Sequence, residues 1–157
     1  MLPKVYIETT IPSYLTARPS RDFLMATHQQ LTQEWWHERR IAFDIYISLF
    51  VQDECQAGDP QMAEKRLDLL VGVPMLEVFP DVYSLAEKLI THGPLPQKAE
   101  TDALHIAVAA AHSIDYLLTW NCKHIANASM ERAIGRICRE SGFEPPVICT
   151  PQELLED

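Results

Sequence analysis

The segment QKAETDALHIAVAAAHSIDYLLTWN, residues 97–121, decides the fold class because it joins a buried helix to a strand. Small and apolar side chains recur at the spacing of one helix face: Ala103, Ile106, Ala107 and Ala110. The neighbouring face is apolar too, so the pattern predicts a deeply buried helix over residues 97–113. A strand is predicted directly after it, over residues 116–119.

The same alternation extends outward to both termini. Runs of β-branched and aromatic residues predict five strands, over residues 4–7, 43–47, 75–79, 116–119 and 147–149. Helical patterns separate them, over residues 21–39, 48–58, 59–72, 81–91, 97–113 and 128–141. We therefore expect a single α/β domain over residues 1–157, a three-layer sandwich around a five-stranded, mainly parallel sheet.

The first long helix carries two further expectations. Ser20 is its predicted N-cap, after a break at residues 11–13. A buried stripe is predicted along it: Phe23, Leu24, Thr27, Leu31 and Trp35. Of the adjacent Trp35 and Trp36, one ring is expected in the core and the other at a dimer interface.

Composition narrows the classes of function. The net charge of −9 argues against a protein that coats nucleic acid nonspecifically, since such binding neutralises phosphates. No apolar run is long enough for a membrane span or a signal peptide, so we expect a soluble cytoplasmic protein without membrane contact. The four cysteines form no C-x-x-C pair and are expected to be buried reduced thiols.

Polar residues follow several predicted strands at the edge where open parallel sheets bind ligands. Glu8 ends the first strand, Glu54 lies on the short helix after the second, and Asp102 interrupts the buried helix. Taken singly, each has an ordinary explanation: a solvated strand end, a solvated helix face, or a favourable charge at a helix N-terminus. Asp53 is expected to be solvated, and Asp115 to serve a turn at the opposite end of the sheet.

Together, these acids form a set of hard oxygen ligands with no cysteine or histidine among them. Such a set suits Mg²⁺ or Mn²⁺ and not zinc, for which Cys122 and His124 supply too few ligands. No glycine-rich phosphate cradle follows the first strand, which disfavours a nucleotide site. A phosphoacceptor domain is disfavoured because Thr9 follows Glu8 where a second acid is needed.

Four ordered motifs resemble the PIN-domain family and, within it, the toxin-like ribonucleases of bacterial toxin–antitoxin systems. They are VYIETT at residues 5–10, S-x-x-V-x-x-E at residues 48–54, DALHIA at residues 102–107 and LLTWN at residues 117–121. The resemblance implies a Mg²⁺- or Mn²⁺-dependent endoribonuclease, commonly a homodimer, with RNA as substrate and an antitoxin as partner. It implies metal ligands at Glu8, Glu54 and Asp102.

The same resemblance gives Thr9 and Thr119 an orienting role and lets Asn121 complete the catalytic set. Two positions depart from the family pattern, since Glu8 and Asn121 stand where aspartate is usual. A catalytically weak relative that binds RNA or protein is therefore the alternative. Basic residues in loops and at helix ends are candidate RNA contacts: Arg18, Arg21, Arg39, Arg40, Lys98 and Lys123.

Overall fold

Four parallel strands form the sheet at the centre of the computed structural model, which describes residues 1–155. They are β1 (Lys4–Ile7), β2 (Asp44–Tyr46), β3 (Tyr116–Leu118) and β4 (Val147–Cys149). The order across the sheet is β2-β1-β3-β4, and every neighbouring pair is parallel. The predicted α/β class with a parallel sheet is confirmed.

Seven α-helices connect or follow the strands within the described residues. They are α1 (Thr10–Thr16), α2 (Phe23–Glu34), α3 (Leu49–Gln56), α4 (Pro60–Leu69), α5 (Pro80–Thr91), α6 (Glu100–Ala111) and α7 (Ala128–Glu140). A π-helical turn (Trp35–Arg39) and a 3₁₀ turn (Arg40–Ala42) extend α2, and 3₁₀ turns also form at Gln97–Ala99 and Pro151–Leu154. No helix in residues 1–155 is long and apolar enough to cross a membrane.

The segment predicted as the third of five strands, residues 75–79, forms a single parallel bridge. Met75 pairs with Ile47, through hydrogen bonds from Ile47 N to Pro74 O (3.0 Å) and from Leu76 N to Ile47 O (2.8 Å). Proline at both ends limits this segment, because Pro74 has no N–H for a ladder and Pro80 begins α5. The segment therefore lies along the β2 edge without becoming a full strand.

Helix α6 is buried as its sequence predicts. Its apolar face is inaccessible to solvent from Ala103 through Ala109, and its deepest polar side chain, His105, is 0% exposed. Strand β1 is buried as well at Val5, Tyr6 and Ile7. One hydrophobic cluster contains both elements and runs from Val5 to Cys149 along the sequence.

The region between β1 and β2 differs from the prediction in three ways. Residues 11–13, predicted as a break between the first strand and the first long helix, lie in a helix of their own, α1, where Pro12 in the first turn needs no hydrogen-bond donor. The N-cap of α2 is Asp22, whose carboxylate accepts from Met25 N, and not Ser20. Phe23 and Leu24 are 87% and 62% exposed, Thr27 is exposed and Leu31 is partly buried, so the predicted buried stripe is correct only at Trp35.

Both tryptophans of the π-helical turn are buried within a single chain. Trp35 is 0% and Trp36 6% exposed, and their ring centroids lie 6.4 Å apart. Trp35 also stacks on Phe43 at 5.8 Å. The expectation that one of the two rings faces a dimer interface is therefore wrong, because the core of the monomer covers both.

The strand order decides where a ligand can bind. The chain leaves β1 toward β2 on one side and leaves β3 toward β4 on the other, so the connections diverge between β1 and β3. Open parallel sheets bind ligands beyond the carboxyl ends of strands at this kind of divergence. Glu8 follows β1 at that edge, and Thr119 follows β3 beside it.

Candidate metal centre

Glu8 is a buried carboxylate, 3% exposed, at the end of β1. Its Oε1 accepts hydrogen bonds from the Thr10 hydroxyl (2.5 Å), the Thr10 backbone N–H (3.1 Å) and the Thr119 hydroxyl (2.7 Å). Buried carboxylates occur in proteins where such partners or a cation compensate the lost hydration. All three donors end on the same oxygen, so Oε2 is the atom that a cation can approach without breaking them.

Glu54 reaches the same place from α3. The helix begins where the Ser48 hydroxyl accepts from Phe50 N, as predicted, and this cap fixes the turn from β2 into α3. Glu54 Oε1 accepts from the Thr9 hydroxyl at 2.5 Å and contacts His105 Nε2 at 2.6 Å. Burial raises the pKa of Glu54, but the hydrogen bond and field of His105 and the Thr9 hydroxyl outweigh it, so the pKa is lowered.

Glu8, Glu54 and His105 converge on one point. One ligand atom from each lies within 4.8 Å of the other two, and within residues 1–155 this is the group of three with the spacing of a metal site. The group combines a strand end, helix α3 and helix α6. The two glutamates were predicted from the sequence, and this arrangement of acids can hold a divalent cation.

His105 was missed by the sequence analysis, and the statement that no histidine belongs to the cluster is wrong. Its side chain is 0% exposed and bonds Tyr6 Oη through Nδ1 at 2.6 Å, besides its contact with Glu54. The available signal was spacing: His105 lies three residues after Asp102, on the same side of α6, within an otherwise apolar stretch.

Asp102 forms a second, adjoining cluster. Its Oδ1 accepts from Asn121 Nδ2 at 3.0 Å, and its Oδ2 lies 3.0 Å from His124 Nδ1. Asn121 Oδ1 in turn accepts from the His124 backbone N–H at 3.1 Å. Asp102 is therefore paired with Asn121 and His124, and within the described residues it does not join Glu8 and Glu54 in the 4.8 Å group.

Thr119 connects the two clusters. Its hydroxyl donates to Glu8 and accepts from the Asn121 backbone N–H at 2.9 Å. Thr9 thus orients the Glu54 carboxylate, and Thr119 orients the Glu8 carboxylate. Thr10, which the sequence analysis left without a role, binds Glu8 and also accepts the Trp120 backbone N–H at 2.8 Å.

The acids set aside in the sequence analysis lie outside this site. Asp115 accepts from Lys4 N at 2.8 Å at the amino end of the sheet, and Asp53 is exposed, as predicted for both. The candidate RNA contacts Arg18, Arg21, Arg40, Lys98 and Lys123 are exposed. Arg39 is partly buried, and the Arg40 guanidinium lies 4.3 Å from the centroid of the Trp36 ring.

No model of a known protein family matches the chain, and no curated protein sequence matches it with significance. The geometry therefore has to be interpreted from its own chemistry. Two carboxylates, each oriented by hydroxyls through one oxygen, lie at the ligand-binding edge of a parallel sheet. This arrangement suits the binding of a divalent cation.

Proposed function

We propose that the protein is a metal-dependent endoribonuclease that hydrolyses RNA phosphodiester bonds. The observation that carries the proposal is the convergence of Glu8 and Glu54 within 4.8 Å at the carboxyl edge of β1 and β2. Both acids fall in motifs that resemble the PIN-domain ribonucleases, and Asp102 and Asn121 from the same motifs lie in the adjoining cluster.

The cation proposed for this site is Mg²⁺ or Mn²⁺. Carboxylate oxygens are the ligands that these hard cations prefer, and each glutamate has one oxygen outside its hydroxyl contacts. Glu8 and Glu54 would hold the ion, and Asp102 would add a third carboxylate from the adjoining cluster. Such an ion polarises a phosphodiester and supplies an activated water when it is bound.

The protein's own residues prepare this chemistry by holding charge in place. Thr10 and Thr119 fix Glu8, while Thr9 and His105 fix Glu54, so neither carboxylate must reorganise to receive a cation. Asn121 and His124 orient Asp102 beside them. Preorganised charges of this kind stabilise a transition state more than mobile charges do, because they are ordered on folding and need not reorganise during the reaction.

The wider assignment follows the same resemblance. We propose a PIN-like three-layer sandwich whose sheet is extended at the β2 edge by the single bridge of residues 75–79, and a cytoplasmic homodimer that serves as the toxin of a toxin–antitoxin pair. Sedimentation should give a dimer at tens of micromolar. A monomer at that concentration would remove the dimer from the proposal.

The ribonuclease activity is tested with purified protein and a structured RNA. Cleavage should require Mg²⁺ or Mn²⁺, disappear with a chelator and disappear in Glu54→Gln. Asp53→Asn is the matched control, because Asp53 is the adjacent acid on α3 but is exposed. Cleavage that survives in Glu54→Gln, or that is lost equally in Asp53→Asn, would contradict the proposed site.

A catalytically weak module that binds RNA or protein is the second candidate. The observation in its favour is that Asp102 already has two partners, the neutral amide of Asn121 and His124, and lies outside the 4.8 Å group. An amide does not supply the charge that a second cation needs. Retained RNA binding without cleavage in Mg²⁺ or Mn²⁺ would favour this candidate over the enzyme.

A further inference from the structure

A buried chain of polar contacts runs from the cap of α3 to the carboxylate of Glu54. Ser48 Oγ lies 2.7 Å from Tyr6 Oη, Tyr6 Oη lies 2.6 Å from His105 Nδ1, and His105 Nε2 lies 2.6 Å from Glu54 Oε1. Ser48, Tyr6 and His105 are all 0% exposed. The ring nitrogen of His105 that carries the proton decides between two roles. His105 either binds a cation through Nε2 or donates a hydrogen bond from Nε2 to Glu54.

The Glu54 end fixes the first proton. Its Oε1 already accepts from the Thr9 hydroxyl at 2.5 Å, and an ionised carboxylate can only accept. The contact with His105 at 2.6 Å is therefore a hydrogen bond only when Nε2 carries the proton. Nitrogen that carries a proton has no lone pair for a cation.

The Tyr6 end agrees with this direction. When the imidazole carries a single proton, on Nε2, its Nδ1 has a lone pair, and the Tyr6 hydroxyl 2.6 Å away is the donor that fills it. The Tyr6 oxygen then accepts from Ser48, whose oxygen accepts the Phe50 N–H at 3.2 Å. Every group in the chain is satisfied.

The opposite direction leaves a conflict. A proton on Nδ1 alone would point the Nε2 lone pair at the Glu54 carboxylate across 2.6 Å. The observed separation is that of a short hydrogen bond, which needs a proton between the two atoms.

We propose that His105 is a positioning residue for Glu54, with Tyr6 fixing the nitrogen that carries the proton, and that His105 is not a ligand of the cation. The inference rests on the proposed function, in which Glu54 binds the ion. The hydrogen bonds from His105 and Thr9 hold Oε1, and Oε2 faces the cation. The ligand set is then all oxygen although a histidine lies within 4.8 Å.

The first test locates the proton directly. In ¹⁵N-labelled, metal-free protein, long-range ¹H–¹⁵N spectra distinguish the two ring nitrogens of each histidine, and His105 is identified by the signals that His105→Gln lacks. The expected result is a proton on Nε2 that stays there when MgCl₂ is added. A proton on Nδ1 alone, or its loss from Nε2 with Mg²⁺, would overturn the proposal.

The second test uses substitutions of His105 to distinguish a hydrogen-bond donor to Glu54 from a ligand of the cation. A glutamine amide at residue 105 can donate from near the position of Nε2, whereas leucine cannot. Calorimetric Mg²⁺ affinity should stay within a few-fold of wild type in His105→Gln and fall by about 10-fold or more in His105→Leu, as for other partners of metal ligands. Equal losses in the two variants would overturn the donor role.

Tyr6→Phe tests the remaining link and covers the case in which His105→Leu does not fold. Without the phenol hydroxyl, Nδ1 loses its donor, so the fraction of His105 that carries its proton on Nε2 should fall, although Glu54 still accepts from Nε2. A proton still confined to Nε2 would show that Tyr6 does not fix it. The proton location does not depend on RNA cleavage, so a protein that cuts no RNA would end the ribonuclease proposal and leave this assignment standing.

Discussion

The hydroxyl of Thr119 donates a 2.7 Å hydrogen bond to Oε1 of Glu8, although 111 residues separate them in sequence. The bond joins the ends of β1 and β3, which are neighbours in the sheet. It also joins the two clusters of the site, because the same hydroxyl accepts from Asn121 N. Glu8 is therefore positioned by a hydrogen bond between the ends of two neighbouring strands.

Divalent cations should stabilise the fold. A cation that binds the native state alone raises the free energy of unfolding by roughly 1.4 kcal/mol at ten times its dissociation constant. Urea unfolding with MgCl₂ or MnCl₂, and again with a chelator, measures this difference. Glu54→Gln should lose most of it and the control Asp53→Asn should keep it; an unchanged response in Glu54→Gln would remove Glu54 from the site.

The contact between Trp120 and Thr32 should stabilise the segment that carries Asn121. Trp120 Nε1 donates to the Thr32 hydroxyl at 2.7 Å, and both residues are buried. Thr32→Val leaves that N–H without an acceptor, which costs about 1–3 kcal/mol of the free energy of unfolding. Urea unfolding of Thr32→Val, Trp120→Phe and the double variant forms the cycle. Strictly additive losses would mean that the hydrogen bond contributes nothing.

One of the four cysteines should react much faster than the others. Cys122 is exposed, whereas burial raises the pKa of Cys55 and Cys138 to about 11 and that of Cys149 to about 12. Thiolate is the reactive form, so these three thiols are protected by burial and by protonation. A disulfide reagent at pH 8 should titrate one thiol quickly and four after unfolding. Cys122→Ser should abolish the fast phase, and a second fast thiol would contradict the burial.

Much of the fold was predictable because its signals are local. The alternation of apolar runs predicted four of the strands, and the helices predicted from residues 48, 59 and 128 begin there, after side-chain caps at Ser48, Asp59 and Asn127. Residues 75–79 were overpredicted because their composition suits a strand, while ladder formation depends on the prolines around them and on a partner edge. Helix α1 was missed because Pro12 suggests a break unless the helix start is known.

The site was only partly predictable for a different reason. Glu8, Glu54 and Asp102 were found because strand ends and first helix turns share one edge of a parallel sheet. His105 was hidden in an apolar helix, and its partner Tyr6 lies 99 residues away. A contact between residues so far apart in the chain leaves no periodic pattern in the sequence. The division of the acids between two clusters depends on side-chain directions that spacing does not supply.

The last prediction concerns Glu8, which is longer by one methylene than the aspartate that the proposed PIN-like assignment would place at this position. Its Oε1 is held by Thr10, at the start of α1, and by Thr119, which follows β3, so these two hydroxyls fix the longer side chain. Glu8→Gln keeps the length and loses the charge. RNA cleavage should fall by about 100-fold or more, as expected when a ligand of the catalytic ion is neutralised.

Glu8→Asp makes the complementary change, since it keeps the charge and shortens the side chain. The carboxylate then moves away from the Thr119 hydroxyl, but a water can fill the gap, so reduced yet measurable cleavage is expected. Metal-dependent cleavage of one structured RNA is compared across both variants, with Asp102→Asn as the inactive control and Asp53→Asn as the active one. If Glu8→Gln cleaves as well as wild type while Asp102→Asn is inactive, Glu8 is not a ligand. If Glu8→Asp is as inactive as Glu8→Gln, the position of the carboxylate matters as much as its charge, and the contact with Thr119 is what sets that position.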